Sequence, residues 1–117
     1  MADDQLPGEV LAAITREMVR IKSESYGKGA TEAKSYQCDN FLFCVLKGGL
    51  TRVERTLLSH DDQDLVRHVR LRYQTLEGDA FREAVERLSG RRVLTYMSQV
   101  LFDPDYAVEI FVLGPAD

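Results

Sequence analysis

A chain of 117 residues, 44% apolar and 29% charged, carries enough apolar surface for one self-sufficient core, which argues against disorder. A formal charge of -4 and a pI near 5.2 remove the usual electrostatic basis for nucleic-acid binding. Two histidines and two cysteines without a CxxC give no zinc framework, and no run approaches the ~20 apolar residues that cross a bilayer. The opening Met1-Ala2-Asp3-Asp4 is acidic where a secretory signal is basic, so the predicted location is the cytoplasm.

Residues 1–7 are small or polar and end in Leu6-Pro7, reading as a flexible tail that delivers a proline to a first helix turn. The first helix is expected from Gly8, with Val10, Leu11, Ile14, Met18 and Ile21 on one stripe, ending before Tyr26-Gly27-Lys28-Gly29. Extended segments follow, Ala33 to Cys38 and the nearly continuous apolar run Phe41 to Leu46, joined by the turn dipeptide Asp39-Asn40. A two-residue loop sets Cys38 opposite Phe41, Tyr36 opposite Phe43 and Ser35 opposite Cys44, which sends the two cysteines to opposite faces and excludes a disulfide.

At Lys47-Gly48-Gly49-Leu50-Thr51-Arg52-Val53-Glu54 the strand stops, two glycines turn the backbone, and Thr51 with Glu54 forms a capping box. A short helix through Leu57 and Leu58 ends at Ser59-His60-Asp61-Asp62, which offers a break and a second N-cap. The next helix is read from Leu65, Val69, Tyr73, Leu76, Ala80, Ala84 and Leu88, reinforced by Phe81 and Val85, up to the glycine cap at Ser89-Gly90. Arg92 to Phe102 and Tyr106 to Leu113 form a second hairpin around Asp103-Pro104-Asp105, and residues 114–117 are a second flexible tail.

The predicted fold is α+β, a single domain over residues 8–113 in the order α-β-β-α-α-β-β, with an antiparallel four-stranded sheet and helices on one face. The run Phe41 to Leu46 lacks polar alternation, so it predicts burial on both sides. Helices on one face do not supply that, and a homodimer joined through sheet faces or edges is the simplest remedy.

Candidate chemistry is sparse. Tyr26 to Thr31 has glycines around a lysine, but it runs from a helix toward a strand, the reverse of a phosphate-binding loop. Arg67, His68, Arg70 and Arg72 form a basic cluster, with Asp61, Asp62 and Asp64 upstream to balance it. His60 and His68 lack a partner constellation, and neither Ser98 nor the cysteines stand in a nucleophile context. No catalytic residue, metal site or cofactor is expected.

Tyr26-Gly27-Lys28-Gly29, Lys34, Gly48-Gly49-Leu50-Thr51 with Glu54, Leu88-Ser89-Gly90-Arg91-Arg92-Val93, Met97-Ser98 and Phe111-Val112-Leu113, in this order, carry a resemblance that spans about residues 8–113. Together they resemble a bacterial family formerly described as a domain of unknown function. It is now named for MpsC, of the Na+-translocating membrane-potential-generating system. The resemblance implies a small soluble protein associated with cation-coupled inorganic-carbon uptake and membrane potential. The missing catalytic constellation, the unpaired sheet surface and the absent membrane span make the expected role that of a non-enzymatic, dimeric accessory or regulatory protein. The resemblance also implies peripheral contact with integral membrane transport subunits at the inner face of the membrane. Ala30 stands where many relatives are expected to have proline.

The candidate partner or anion contacts are Tyr26, Lys28, Lys34, Arg67 and Arg70. One alternative is a small-ligand protein or enzyme with a site between subunits, to be tested first at His60, Glu54 and Glu109. A second is a nucleic-acid-binding regulator using Arg67 to Arg72.

Overall fold

The computed structural model describes residues 4–116. Its elements run α1 (Gly8–Tyr26), β1 (Glu32–Cys38), β2 (Phe41–Lys47), α2 (Arg52–Ser59), α3 (Gln63–Ser89), β3 (Val93–Leu101) and β4 (Tyr106–Leu113). All strand pairs are antiparallel and the sheet order is β1-β2-β4-β3, so the two central strands come from different hairpins. This is the expected α+β order.

The tails lie only partly within the described residues, since 1–3 and 117 fall outside them. Gln37 donates to the Asp4 carbonyl and accepts from the Leu6 amide, while the Arg91 guanidinium donates to the Asp4 and Gly114 carbonyls.

Local chemistry explains the first hairpin. Asp39 takes the left-handed conformation at φ 56°, closing the two-residue loop, and the pairs Cys38–Phe41, Tyr36–Phe43 and Ser35–Cys44 form as the spacing predicts. Both cysteines are free: Cys38 is exposed on one face, and Cys44 is buried on the other, where burial pushes its thiol up to about 11. Gly48 turns the chain out of β2 at φ 77°, and a Cβ there would stand 2.3 Å from the Thr31 hydroxyl, so the position requires glycine for conformation and for space.

α1 and the second half of α3 cover one face of the sheet, and α2 packs mainly on α3. Ile14, Met18 and Ile21 of α1, Leu42, Cys44 and Leu46 of β2, Phe81, Ala84 and Val85 of α3, and Phe111 and Leu113 of β4 make the core. The first half of α3 departs from the expected stripe. Leu65, Val69 and Leu76 are exposed, and the inward positions belong to Val66, Arg70, Glu77 and Phe81. Both sets fit a helical period. Polar partners waiting on α1 and α2 select the second.

Asp62 occupies the N-cap position of α3, yet its side chain makes no capping bond, and Asp61 before it is left-handed at φ 62°. The double burial expected for Phe41 to Leu46 is met on one side within the chain. Leu42, Cys44 and Leu46 are buried under the helices, whereas Phe41, Phe43 and Val45 point to the uncovered face.

Candidate functional site

The C-terminal end of α1, the N-terminal end of α2 and Arg70 from the first half of α3 meet at the segment Gly49-Leu50-Thr51. The capping box is present in full: the Glu54 amide donates to Thr51 Oγ1 over 3.1 Å, and the Thr51 amide donates to Glu54 Oε1 over 2.8 Å. The same carboxylate receives Arg70 in a two-pronged grip, Nε on Oε2 and Nη2 on Oε1 at 2.6 Å each, and the Tyr26 hydroxyl donates to Oε2. Four donors thus reach one carboxylate whose side chain is 6% exposed. Arg70 Nη2 also reaches the Gly49 carbonyl at 3.0 Å.

Aromatic packing and further bonds complete the joint. The Arg70 guanidinium lies 4.4 Å from the Tyr26 ring centroid, and Tyr73 meets that ring edge-on at 4.7 Å. The Leu50 carbonyl accepts from Lys28 Nζ at 3.0 Å and from Arg55 Nη1 at 2.9 Å. Asp105, across the molecule in the β3–β4 turn, accepts from the Leu50 amide at 3.1 Å. Beside the joint, Lys22 Nζ donates to Glu77 at 2.9 Å and Ser25 donates to its other oxygen.

The electrostatics follow from this geometry. Burial opposes ionisation of Glu54, but the bonds from Arg70, Thr51 and Tyr26 outweigh it and hold the carboxyl below its usual range. Burial also works against the Arg70 charge, and the bonds and charge of Glu54 more than restore it. The Tyr26 hydroxyl is pushed up by burial and by its bond to the carboxylate. The result is a satisfied ion pair at neutral pH.

A third buried acid, after Glu54 and Glu77, lies under the helices. Glu109, 2% exposed at the centre of β4, accepts from the Tyr96 hydroxyl and from Ser98 Oγ at 3.0 Å. Burial pushes its carboxyl above the ordinary range, against the opposing effects of Tyr96, Lys22 and Ser98.

Of the five contact residues read from the sequence, three gather here. Tyr26 and Arg70 share Glu54, and Lys28 holds Leu50, each bonded within the chain. Lys34 stands apart on the uncovered side of β1, 5.2 Å from the Tyr36 ring centroid, and Arg67 lies 4.8 Å from the Phe102 ring centroid. The basic cluster is split, since Arg67 and Arg72 face outward while Arg70 is 5% exposed and gripped by Glu54. His60 sits exposed at the end of α2, away from any capping carboxylate.

Sequence reasoning sets Lys22 off the buried stripe of the first helix, reads Asp105 only as part of a hairpin turn and gives Glu77 no role, whereas Lys22 is buried against Glu77 and Asp105 holds the Leu50 amide. The available signal was phase. Lys22 follows Ile14 and Met18 at four-residue steps, and Arg70 and Glu77 fall in step with Val66 and Phe81. No buried side-chain polar atom lacks a partner among the described residues, and no group of acidic, histidine or cysteine side chains there is arranged to hold a metal ion.

Two hollows flank the joint. An open cleft of about 390 Å³ separates the first half of α3 from β3, with Arg67, His68 and Gln74 facing Ser98 and Val100. A shallower groove of about 230 Å³ runs between α2 and α3 along Val53, Leu57, Val66 and Val69.

A family model described as Na+-translocating membrane potential-generating system (MpsC) matches residues 7–114. No curated protein and no solved structure matches the chain. The family match takes in all seven elements and the whole Tyr26–Glu54–Arg70 joint: the chain belongs to the MpsC family.

Proposed function

We propose that this chain is a non-enzymatic accessory subunit of a Na+-translocating membrane potential-generating system, acting through protein contacts at the cytoplasmic face of the membrane. The observation that carries the reading is architectural. No helix among the described residues is long and apolar enough to cross a membrane, and the four-stranded sheet is open, with β1 and β3 as edges. In a system named for moving Na+ across a membrane, the ion path then belongs to integral partners, and this chain works on them from outside.

The joint supports a positioning role. Its carboxylate is saturated by donors from the same chain, so Tyr26 and Arg70 shape the α2–α3 end of the molecule and leave contact to its exposed residues. Arg67, exposed beside Leu71 at the mouth of the cleft, is the charged contact residue of this reading.

The test is affinity capture of the tagged protein from gently solubilised host cells, with identification of what co-purifies. Reproducible enrichment of integral transport subunits, reduced by Arg67→Glu, is the expected result. Recovery of the chain alone, or of the same partners at undiminished yield with Arg67→Glu, would overturn respectively the subunit role and the contact assignment.

A further inference from the structure

The uncovered side of the sheet is apolar through its centre and toward Leu101 at the β3 edge, with its charges on the β1 side. One outward row reads Tyr36, Phe43, Ile110, Met97 across the four strands, and the next reads Lys34, Val45, Val108, Gln99. Tyr36 and Met97 at its margins are 48% and 43% exposed. Charged side chains on this face keep to the β1 side and the end of β2, as Glu32, Lys34 and Lys47.

The size suits a stable contact. Four strands ~4.8 Å apart and about seven residues long give a footprint of roughly 450 Å² before side-chain relief is counted. The chain exposes 7037 Å², against about 6,450 Å² for an average folded monomer of its mass. That surplus of roughly 600 Å² approaches the ~800 Å² each partner buries in a standard interface.

We propose that this face pairs with a second copy of the chain, sheet against sheet, about a twofold axis parallel to the strands and between β2 and β4. The row pattern favours this occupant and this axis. Such an axis keeps each row opposite itself and exchanges β1 with β3 and β2 with β4. Tyr36 then meets the partner's Met97, Phe43 the partner's Ile110, and Val45 the partner's Val108. Lys34 meets the partner's Gln99 and Lys47 the partner's Tyr106, so no like charges are opposed. The aligned packing usual for two twisted sheets, near -30°, preserves these oppositions around the axis. β2 then gains the second covered face that its unbroken apolar run requires.

The test is the mass in solution, by sedimentation or light scattering over a dilution series. The expected wild-type species has twice the mass of the chain, Phe43→Glu halves it, and Leu76→Glu on the exposed side of α3 leaves it unchanged. Should Phe43→Glu fail to fold, hydroxyl-radical footprinting of the wild type decides: Met97 loses reactivity as concentration rises if the faces pair. The axis is tested by mixing Val45→Lys and Val108→Asp chains, which pair with each other in preference to themselves. A wild-type monomer, a dimer whose Met97 stays fully reactive, or random pairing of the two charged variants would overturn the proposal. These outcomes are read on the purified chain and stand apart from the capture experiment.

Discussion

The two halves of α3 bury opposite kinds of residue. Over the sheet, the second half turns Phe81, Ala84 and Val85 inward, in an apolar core shared with α1, β2 and β4. Toward α2 and the end of α1, the first part of α3 as far as Glu77 turns Val66, Arg70 and Glu77 inward and leaves Leu65, Val69, Leu71 and Leu76 exposed. One core is filled by shape and the other by paired charge. The difference teaches that hydrophobic pattern positions a helix only where an apolar surface is there to receive it. Where Glu54, Lys22 and the Gly49 carbonyl wait instead, satisfying buried polar groups sets the phase.

The strongest way to break this comparison is Arg70→Ala. It strands Glu54 as a buried unpaired carboxylate, and urea unfolding should show a loss of roughly 3–5 kcal/mol, the range expected for a broken buried pair. Phe81→Ala in the apolar half should cost a similar amount through its cavity. The two are told apart by replacing both partners: Arg70→Met with Glu54→Leu should recover part of the loss by removing the stranded charge, and only part, because the Thr51 amide, the Tyr26 hydroxyl and the Gly49 carbonyl lose their partners. A loss below about 1 kcal/mol for Arg70→Ala, the scale of exposed pairs, would show that the joint is open to water.

The pH dependence sharpens the contrast, because two of the three buried acids among the described residues, Glu54 and Glu109, shift in opposite directions. The Glu54 carboxyl is held low in the folded state, so its contribution is complete above the ordinary carboxylate range of ~4.3 and lost as pH falls through the folded value. The Glu109 carboxyl is held high, so its contribution is complete below that range and lost as pH rises through the folded value. Stability measured from about pH 3 to pH 9, on either side of the ordinary carboxylate range, should therefore show the deficit of Glu54→Gln shrinking on acidification. The advantage of Glu109→Gln should grow toward alkaline pH. Each slope is bounded at about 1.4 kcal/mol per pH unit for one proton. Parallel profiles for the two variants would contradict the assignment.

The smallest effect is expected on the exposed leucines. Leu71→Gln, at a side chain 60% exposed, should change the stability of the isolated chain by no more than ~0.5 kcal/mol. A cost several times larger in thermal or urea unfolding would mean that this surface is covered.

What could be read from the sequence was what is decided locally. The capping box needs only Thr51 and Glu54, three residues apart, and it formed as read. The β1–β2 register needs only the two-residue turn at Asp39-Asn40 and the alternation beside it, and the pairs Cys38–Phe41 and Ser35–Cys44 followed. The phase of α3 was not legible, because Leu65, Val69 and Leu76 form as regular a stripe as Val66, Arg70 and Glu77. The choice rests on Glu54, 16 residues before Arg70, and on Lys22, 55 residues before Glu77. Tyr26, Lys28 and Arg70 were singled out as outward contacts, yet they bond inward. A residue type that suits recognition of a partner suits recognition of the chain's own backbone equally well.

The 27 residues of α3 pass from one of these environments to the other without a break, a rod ~40 Å long at 1.5 Å per residue. Its near end is clamped by bonds that keep their strength only within narrow angles, and its far end is seated in a close-packed core. One continuous helix therefore sets Arg70 against Glu54 and Phe81 against the Tyr96 ring on the same rigid backbone. A turn of this helix about its axis that suited one environment would misplace its residues in the other, so the two are fixed by a single phase.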